Sequence, residues 1–489
     1  MIQQGVSAGG DHAGENPMSV GRIMDWVEAR CDAIKSREEE EDEEEQKEKE
    51  KDPPTPQSGP KPQSRTKRQQ HLAHNVPSSP IQTRRTFKAV RGPEEDLTST
   101  ADEGGGYYPL RISEFFEEGR YVITRKLGWG GHSSVWLARD HKEDRHVAIK
   151  VLTAYASKEI KEERLAELEL LRKVANASPL HRGAAHVIRL FHDFTFESFV
   201  GQHVCLVTDV LSYNVPGLQS QLDDPRLPLR FILRLTRHVL KGLEYLHDEC
   251  DVIHADLKPG NILLRPSDLD NIVTRELSKD PARMYGFSKT IPPDLIPFHP
   301  VVSAPIHFKL NAGKPVELHW VIADLGHAHL KGKHLSKVVQ PYALRAPEVI
   351  LGLEWGPAID IWSLGCMMYE FAIGSWLFHP EAVDNIPRDI VHLAQMTQRT
   401  GQNHDDVGSM RCEIQGNQYD LEDMLKRATA GSAELTPIES AVNGLTVHSN
   451  GADEISAFVR VMRTFLALDP TKRPRAAEAL LDPAFKDIL

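Results

Sequence analysis

The feature that most constrains this chain is one short loop, His254-Ala255-Asp256-Leu257-Lys258-Pro259-Gly260-Asn261. It places a carboxylate, a cation and an amide within a few positions of one another. That set suits phosphoryl transfer: Asp256 would take the proton of a hydroxyl nucleophile, Lys258 would neutralise charge on the moving group, and Asn261 would hold a divalent cation. Alone the loop is only suggestive, because Asp and Asn are also ordinary turn and capping residues. Its companions give it force by their order. Leu127-Gly128-Trp129-Gly130-Gly131 and Val147-Ala148-Ile149-Lys150 precede it, and Asp324-Leu325-Gly326 and Ala346-Pro347-Glu348 follow it.

Each companion adds one part of the same chemistry. Glycines at 128 and 130 carry no Cβ, so the backbone can approach phosphates and offer N–H groups to them. A plain hairpin turn is the alternative, and the segment is not a Walker loop, since no Gly-Lys-Ser/Thr follows. Lys150 ends a strand-like run. By itself it reads as an exposed lysine, but beside phosphates it would bind the α/β oxygens and pair with a helical glutamate. Glu167 is the candidate partner, with Leu171 one turn on packing the same side; Glu163 and Glu169 are the competitors. Asn261 and Asp324 are the candidate Mg²⁺ ligands.

With 489 residues the chain is long enough for roughly two to four domains. Its hydrophobic content of 40% and charged content of 26% suit a soluble globular protein. Cys31, Cys205, Cys250, Cys366 and Cys412 are scattered, with no CxxC pair. That argues against a disulfide framework or zinc site and for a reducing compartment. No run approaches ~18 apolar residues, and Met1 to Gly10 is polar, so neither a membrane span nor an export leader is expected. The net charge of −12 speaks against general nucleic-acid binding and suits a basic protein partner.

Residues 1–104 do not read as a domain. Glu38 to Glu45 is unbroken acid, whereas Pro53 to Pro93 holds no Asp or Glu and carries Arg65, Lys67, Arg68, Arg84 and Arg85 among Pro, Ser and Gln. Such segments bury too little apolar surface to offset chain entropy, so a charged, disordered tail is expected. Within it, Ile23, Trp26, Val27 and Ile34 recur at helical spacing, as in a partner-binding helix. Order is expected from about Gly106. Tyr121 to Ile123, Val135 to Ala138, His146 to Leu152 and Val204 to Val210 read as strands, and Lys158 to Val174 as a helix. From Arg230 helices dominate: Phe231 to His247, Asp360 to Ile373, Arg388 to Gln398 and Ile455 to Ala467. The stretch 265–318 has no sustained period and reads as a long insertion.

These motifs resemble those of eukaryotic protein kinases from about Tyr121 to Leu489, and most closely the SR-protein kinases, as a divergent, fungal-type member. Gly106-Tyr107-Tyr108-Pro109, Gly119-Arg120-Tyr121, Arg125-Lys126-Leu127-Gly128-Trp129-Gly130 and Asp324-Leu325-Gly326 carry the resemblance, with the insertion after Asn261 where that family has its spacer. The resemblance implies an α+β, bilobal protein kinase fold with a small β-rich N-lobe over 105–211 and a larger helical C-lobe over 212–489. It implies a serine/threonine protein kinase using ATP and Mg²⁺, acting as a monomer on basic, Arg-Ser-rich proteins such as splicing factors, in cytoplasm and nucleus. Leu127, Gly128, Gly130, Ser133, Val135, Ala148, Lys150, Asp209, Leu211 and Leu263 would bind nucleotide, with Thr208 as gatekeeper. Asp209 and Leu211 would offer backbone groups to adenine. Asp360 would brace the catalytic loop and Glu348 would pair with Arg473.

Three expectations follow. The position before Asp256 is Ala255, whereas most kinases have an arginine there that calls for a phosphorylated activation segment, so activity without such phosphorylation is expected. Pro341 and Tyr342 stand where the family has Thr and Arg, which puts the preference for the residue after the acceptor serine in question. Glu381, Asp384, Asp389, Asp405, Asp406, Glu413, Asp420, Glu422 and Asp423 would form an acidic substrate groove. His327, His329 and His334 read as solvated loop histidines rather than a metal site. Two other classes stay open. A kinase-shaped scaffold without turnover is opposed by the intact Lys150, Asp256 and Asp324. A nucleic-acid-binding regulator is opposed by the acidic body.

Overall fold

Alternating apolar residues on either side of the glycine turn build an antiparallel sheet. Its strands are β1 (Phe115–Phe116), β2 (Tyr121–Gly130), β3 (Ser133–Asp140), β4 (Arg145–Leu152), β5 (Leu190–Ser198) and β6 (Gly201–Thr208), in the order β1-β2-β3-β4-β6-β5. Tyr121, Ile123, Trp136, Val147 and Ile149 bury one face. The computed structural model describes residues 94–285, 300–306, 318–334, 336–381, 386–402, 413–414, 417–418, 421–431, 435–443 and 451–486. The acidic run, the basic stretch and the Val20 to Ile34 helix expected in the tail lie outside the described residues, as do Asp384, Asp405, Asp406 and Asp420.

The expected helix from Lys158 to Val174 is two helices, α1 (Ala154–Lys161) and α2 (Glu167–Asn176). The break follows from Glu163, whose φ of +58° takes the chain into the left-handed region and re-aims it. β5 escaped the sequence reading because His192, Asp193, Thr195 and Glu197 dilute its apolar content.

The second lobe is helical. It is built on α3 (Leu229–Glu244), which runs into a π turn at Tyr245–Glu249. The insertion between the lobes' shared loops is not structureless as expected: it contains α4 (Leu269–Lys279). Val273 and Ile306 of the insertion pack on Leu137, Ala148 and Val210, so its apolar positions are spent on the small lobe rather than on a period of their own. Further along come α5 (Ala358–Ile373), α6 (Arg388–Thr400) and α7 (Ala452–Phe465). α5 is apolar nearly all round and buried, as a central helix must be. Trp320, Trp362, Phe371, Phe378, Phe458 and Phe465 fill the core around it. Among the described residues no helix is long and apolar enough to cross a membrane, and Cys205, Cys250 and Cys366 are buried free thiols.

The expected boundary at 104/105 is too late. The Lys126 side chain is fully buried, and Glu94, at 2.8 Å, and Glu95 close on its ammonium. Glu94 also accepts from the Ser303 N–H at 2.8 Å and its hydroxyl at 2.7 Å. Burial pushes the Glu94 carboxyl up, but Lys126 and Ser303 outweigh it and hold it below the usual range. A buried ammonium without a counter-charge is costly, so residues 94–104 belong to the folded unit.

Candidate functional site

Lys150 sits near the end of β4, opposite Val135 on β3 and Leu206 on β6. This register hangs its side chain beneath the glycine turn. The α1–α2 break starts α2 at Glu167, whose carboxylate turns inward and lies 2.5 Å from the Lys150 ammonium. Of its competitors, Glu169 is exposed on α2 and Glu163 is exposed in the left-handed turn. Asp324 approaches the same ammonium to 3.1 Å from the other lobe. Burial pushes Lys150 down, but the Glu167 and Asp324 carboxylates overcome it and hold Lys150 charged well above its ordinary range. In return, the Lys150 ammonium holds the Asp324 carboxyl far below the usual range.

A short ladder joins the remaining groups. β8 (Ile262–Arg265) pairs with β9 (His319–Ile322), β7 (Val252–Ile253) pairs with β10 (His329–Leu330), and the Ala323 N–H donates to the Asn261 carbonyl at 2.9 Å. Asn261 and Asp324 therefore leave the ladder side by side. Asn261 Nδ2 donates to the Asp256 carbonyl at 3.0 Å and to Oδ2 at 3.2 Å, and Lys258 Nζ lies 2.6 Å from the same Oδ2.

The loop itself is strained and braced. Ala255 has φ +59°, a conformation that costs about 1–3 kcal/mol for a residue other than glycine. The buried Asp360 carboxylate offsets this by accepting the N–H groups of His254 and Ala255, both at 2.9 Å, and it also meets His247 Nε2 at 2.9 Å. Gln340, at φ +67°, donates its N–H to the Ala255 carbonyl at 2.9 Å and ties the segment before Pro341 to the same loop. Glu348 and Arg473 make the expected pair, with contacts of 2.6 and 2.8 Å.

The expected nucleotide residues fall into two groups. Gly128 and Gly130 oppose Val135 and Ser133 across the hairpin, and Leu127, Val135 and Ala148 share one apolar cluster below it. A Cβ placed on Gly128, Gly130 or Gly131 would meet nothing within 4 Å, so the turn's backbone borders open space that phosphates could enter. Leu263 lies apart from that cluster, on β8, bridged to Asn214. Leu211 is half-buried in the connection after β6. The Asp209 side chain is consumed locally, by the Arg189 N–H at 2.9 Å, the Arg189 guanidinium at 2.7 Å and Arg265 at 2.8 Å. Ion pairs between residues so far apart in the sequence leave no spacing signal, and the reading missed them. It also missed Tyr107, whose hydroxyl donates to the Gly130 carbonyl at 2.5 Å and steadies the glycine turn.

The three loop histidines are not all solvated. His329 is buried, its ring centroid 5.2 Å from that of Trp355, whereas His327 and His334 are exposed as expected, the His334 ring stacking on Trp355 at 3.7 Å. No group of three or more metal-ligating side chains that could hold an ion by themselves occurs among the described residues. Asn261 and Asp324 are hard oxygen donors, which fit a divalent cation that also takes phosphate oxygens. Of the expected acidic groove, Asp389 accepts the Tyr342 hydroxyl at 2.7 Å instead of facing a free groove, and Glu381 is exposed. The side chains of Glu413, Glu422 and Asp423 lie outside the described residues.

The model of the protein kinase domain matches residues 121–274 and 314–485. The serine/threonine-protein kinase SRPK of Physarum polycephalum is 32% identical over 418 residues, covering 80% of this chain and 93% of that protein. Protein kinase dsk1 of Schizosaccharomyces pombe is 27% identical over 482 residues, covering 78% and 85%. The SRSF protein kinase 3 of Homo sapiens is 26% identical, covering 61% and 75%. The crystal structure of the PF14_0431 kinase domain superposes with a TM-score of 0.52 at 19% identity, covering 78% of this chain and 99% of that one; it bears on the fold alone.

Proposed function

The chain belongs to the protein kinase family, among its SRPK-type serine/threonine kinases, and on that footing we propose that it uses Mg²⁺ and ATP to phosphorylate serine, or threonine, in basic, Arg-Ser-containing segments of proteins. The observation that carries the chemical part is the meeting of Lys150, Glu167 and Asp324 within hydrogen-bond distance, beside the Asp256–Asn261 loop. ATP supplies the γ-phosphoryl group when bound, and the metal neutralises phosphate charge.

The chain's own residues divide the remaining work. Lys150, kept charged and steered by Glu167, orients the α/β-phosphate oxygens. Asn261 and Asp324 would hold the metal. Asp256 receives the proton of the substrate hydroxyl, and Lys258, already 2.6 Å from Asp256, stays near the oxygens that gain charge. The backbone at Gly128 and Gly130 covers the phosphates, and Leu127, Val135, Ala148 and Leu263 flank the base, with Leu211 and Asp209 supplying main-chain contacts.

The Arg-Ser part rests on the names of the relatives and on the net charge of −12. A second reading keeps the same frame with a different sequence preference. It is favoured by Tyr342, which stands with Arg388 3.8 Å over its ring where a basic side chain would otherwise be received. A peptide array varied around a central serine, run with wild type and Asp256→Ala, separates the two. Asp256-dependent labelling richest in arginine-flanked serines supports the first reading; Asp256-dependent labelling indifferent to arginine supports the second.

A further inference from the structure

Twelve of the sixteen residues of α3 are buried. The four that are not are Arg230, Arg234, Arg237 and Lys241. Steps of four, three and four residues align them on one side of the helix, along roughly 16 Å. The whole outward stripe of α3 is therefore cationic, in a chain whose net charge is −12.

Helix stability does not account for this stripe. Like charges three and four residues apart repel, and Arg230, in the first turn, sits at the positive end of the helix dipole. Glu244, the one carboxylate of α3, is gripped by Arg182 at 2.6 and 2.8 Å, which brings a fifth cation to the same end. Burial, and then the charges of Arg237 and Arg182, push the Lys241 ammonium below its ordinary range, against the opposite pull of Glu244. Burial keeps the ring of His238 neutral, and Arg234 and Lys241 act on it in the same direction. Interspersed signs would cancel such a field. Here the charges add, and a summed field draws a partner of opposite sign.

The chain carries a match for it. Glu38 to Glu45 is eight consecutive acidic residues. An extended run of eight spans about 26 Å and turns every second carboxylate to one side, about 6.6 Å apart. The cations of the stripe follow one another at roughly 4.5–6 Å. Residues 46–93 join the run to Glu94, where the folded unit begins. A chain of that length spans roughly 35–40 Å, against a radius of gyration of roughly 21 Å for a fold of this size. The run can therefore reach the stripe of its own molecule, and the tether raises its effective concentration over that of a separate partner.

We infer that the basic stripe of α3 is an interaction surface for the chain's own acidic run, with Glu38 to Glu45 laid along Arg230, Arg234, Arg237 and Lys241. The contact needs neither nucleotide nor substrate and is independent of the kinase reading. Ion pairs on a wet surface are weak and screened by salt, so they place the run without adding measurably to the melting midpoint.

The test joins carboxylates to amines in the full chain with a zero-length carbodiimide reagent and identifies the linked peptides by mass spectrometry. In about 50 mM salt the run should join to Lys241, and the yield should fall about fivefold or more in about 0.5 M salt. A second measurement uses the full chain with all eight acidic residues of the run replaced by Gln, together with a labelled peptide of the run's sequence. The peptide should bind, and Arg230→Gln, Arg234→Gln and Arg237→Gln combined should weaken it about tenfold or more, in protein whose melt shows it folded. Joining of the run to Lys61, Lys67 or Lys88 of the basic stretch in place of Lys241 overturns the inference. Joining found only between an isotope-labelled copy and an unlabelled one overturns it too, in favour of a contact between two molecules. Peptide binding that the three replacements leave unchanged overturns the assignment of the stripe, and equal binding of an eight-glutamine peptide removes the role of charge. Neither joining nor binding at about 50 mM salt overturns the whole inference.

Discussion

The ammonium of Lys150 stands 2.5 Å from Oε1 of Glu167, a contact between a strand of the small lobe and the first turn of a helix that begins there only because Glu163 breaks the chain before it. Glu167 has the geometry of a positioning residue: it aims Lys150 and touches no reacting atom itself. Glu167→Gln keeps the shape and removes the charge. Turnover should fall by about a hundredfold, the scale of a displaced contact near the reacting groups, chiefly in kcat, while nucleotide affinity changes less. Equal kcat in the variant, measured by steady-state kinetics, would show that Lys150 is aimed by Asp324 alone.

Asp360 gives the loop its pH dependence. Burial acts to raise its pKa, but the hydrogen bond and charge of His247, with those of His254, overcome this and hold it below the ordinary carboxylate value. A group depressed in the folded state contributes stability that is complete above its unfolded value, about 4, and is lost as pH falls through the lower folded value. Asp360→Asn should therefore be less stable at neutral pH and should show a shallower loss between about pH 4 and more acid conditions. Thermal melts of both proteins across that range check it; parallel curves would remove Asp360 from the account.

Glu94 and Glu95 set the true start of the folded unit. A chain beginning at Glu94 should melt as the full chain does. A chain beginning at Gly105 leaves the Lys126 ammonium buried without its partners and should lose about 3–5 kcal/mol, seen as a lower melting midpoint and a lower denaturant midpoint. Equal midpoints for the two truncations would restore the later boundary.

The segment after Asp324 is held by packing. His334 stacks on Trp355 at 3.7 Å, and His329, pushed down to about 4 by burial and by its neighbours His334 and His327, stays neutral against the same indole. With Ala255 in place of an arginine, no phosphate is needed to satisfy a charge there. Phosphatase-treated protein should keep most of its turnover, and Trp355→Ala should lose several-fold whether or not the protein is phosphorylated. Inactivity after phosphatase treatment, restored by rephosphorylation, would contradict this.

What could be read from the sequence was what sits in contiguous motifs. Lys150, Asp256, Lys258, Asn261 and Asp324 each lie inside a short pattern whose spacing reflects a local turn or strand end, and the structure gathers all five. Glu167 was reachable because its helix face follows from Leu171. The rest depends on pairs far apart in the chain: Lys126 with Glu94, Asp209 with Arg189 and Arg265, Tyr107 with Gly130. No period marks such partners. The helix Leu269–Lys279 was missed because only Val273 of its residues is fully buried, too little to show a face. The α1–α2 break was missed because a left-handed Glu163 has no residue-type signature, glycine being the usual one.

The most direct test of the central claim is transfer of labelled γ-phosphate from ATP, with Mg²⁺, to serine in a protein substrate by wild type, Lys150→Ala, Asp256→Asn and Asp324→Asn. The account predicts phosphoserine from wild type, with each variant reduced by at least about a hundredfold while all four proteins melt as folded species. Transfer that persists in Asp256→Asn or Asp324→Asn at the wild-type rate would contradict it.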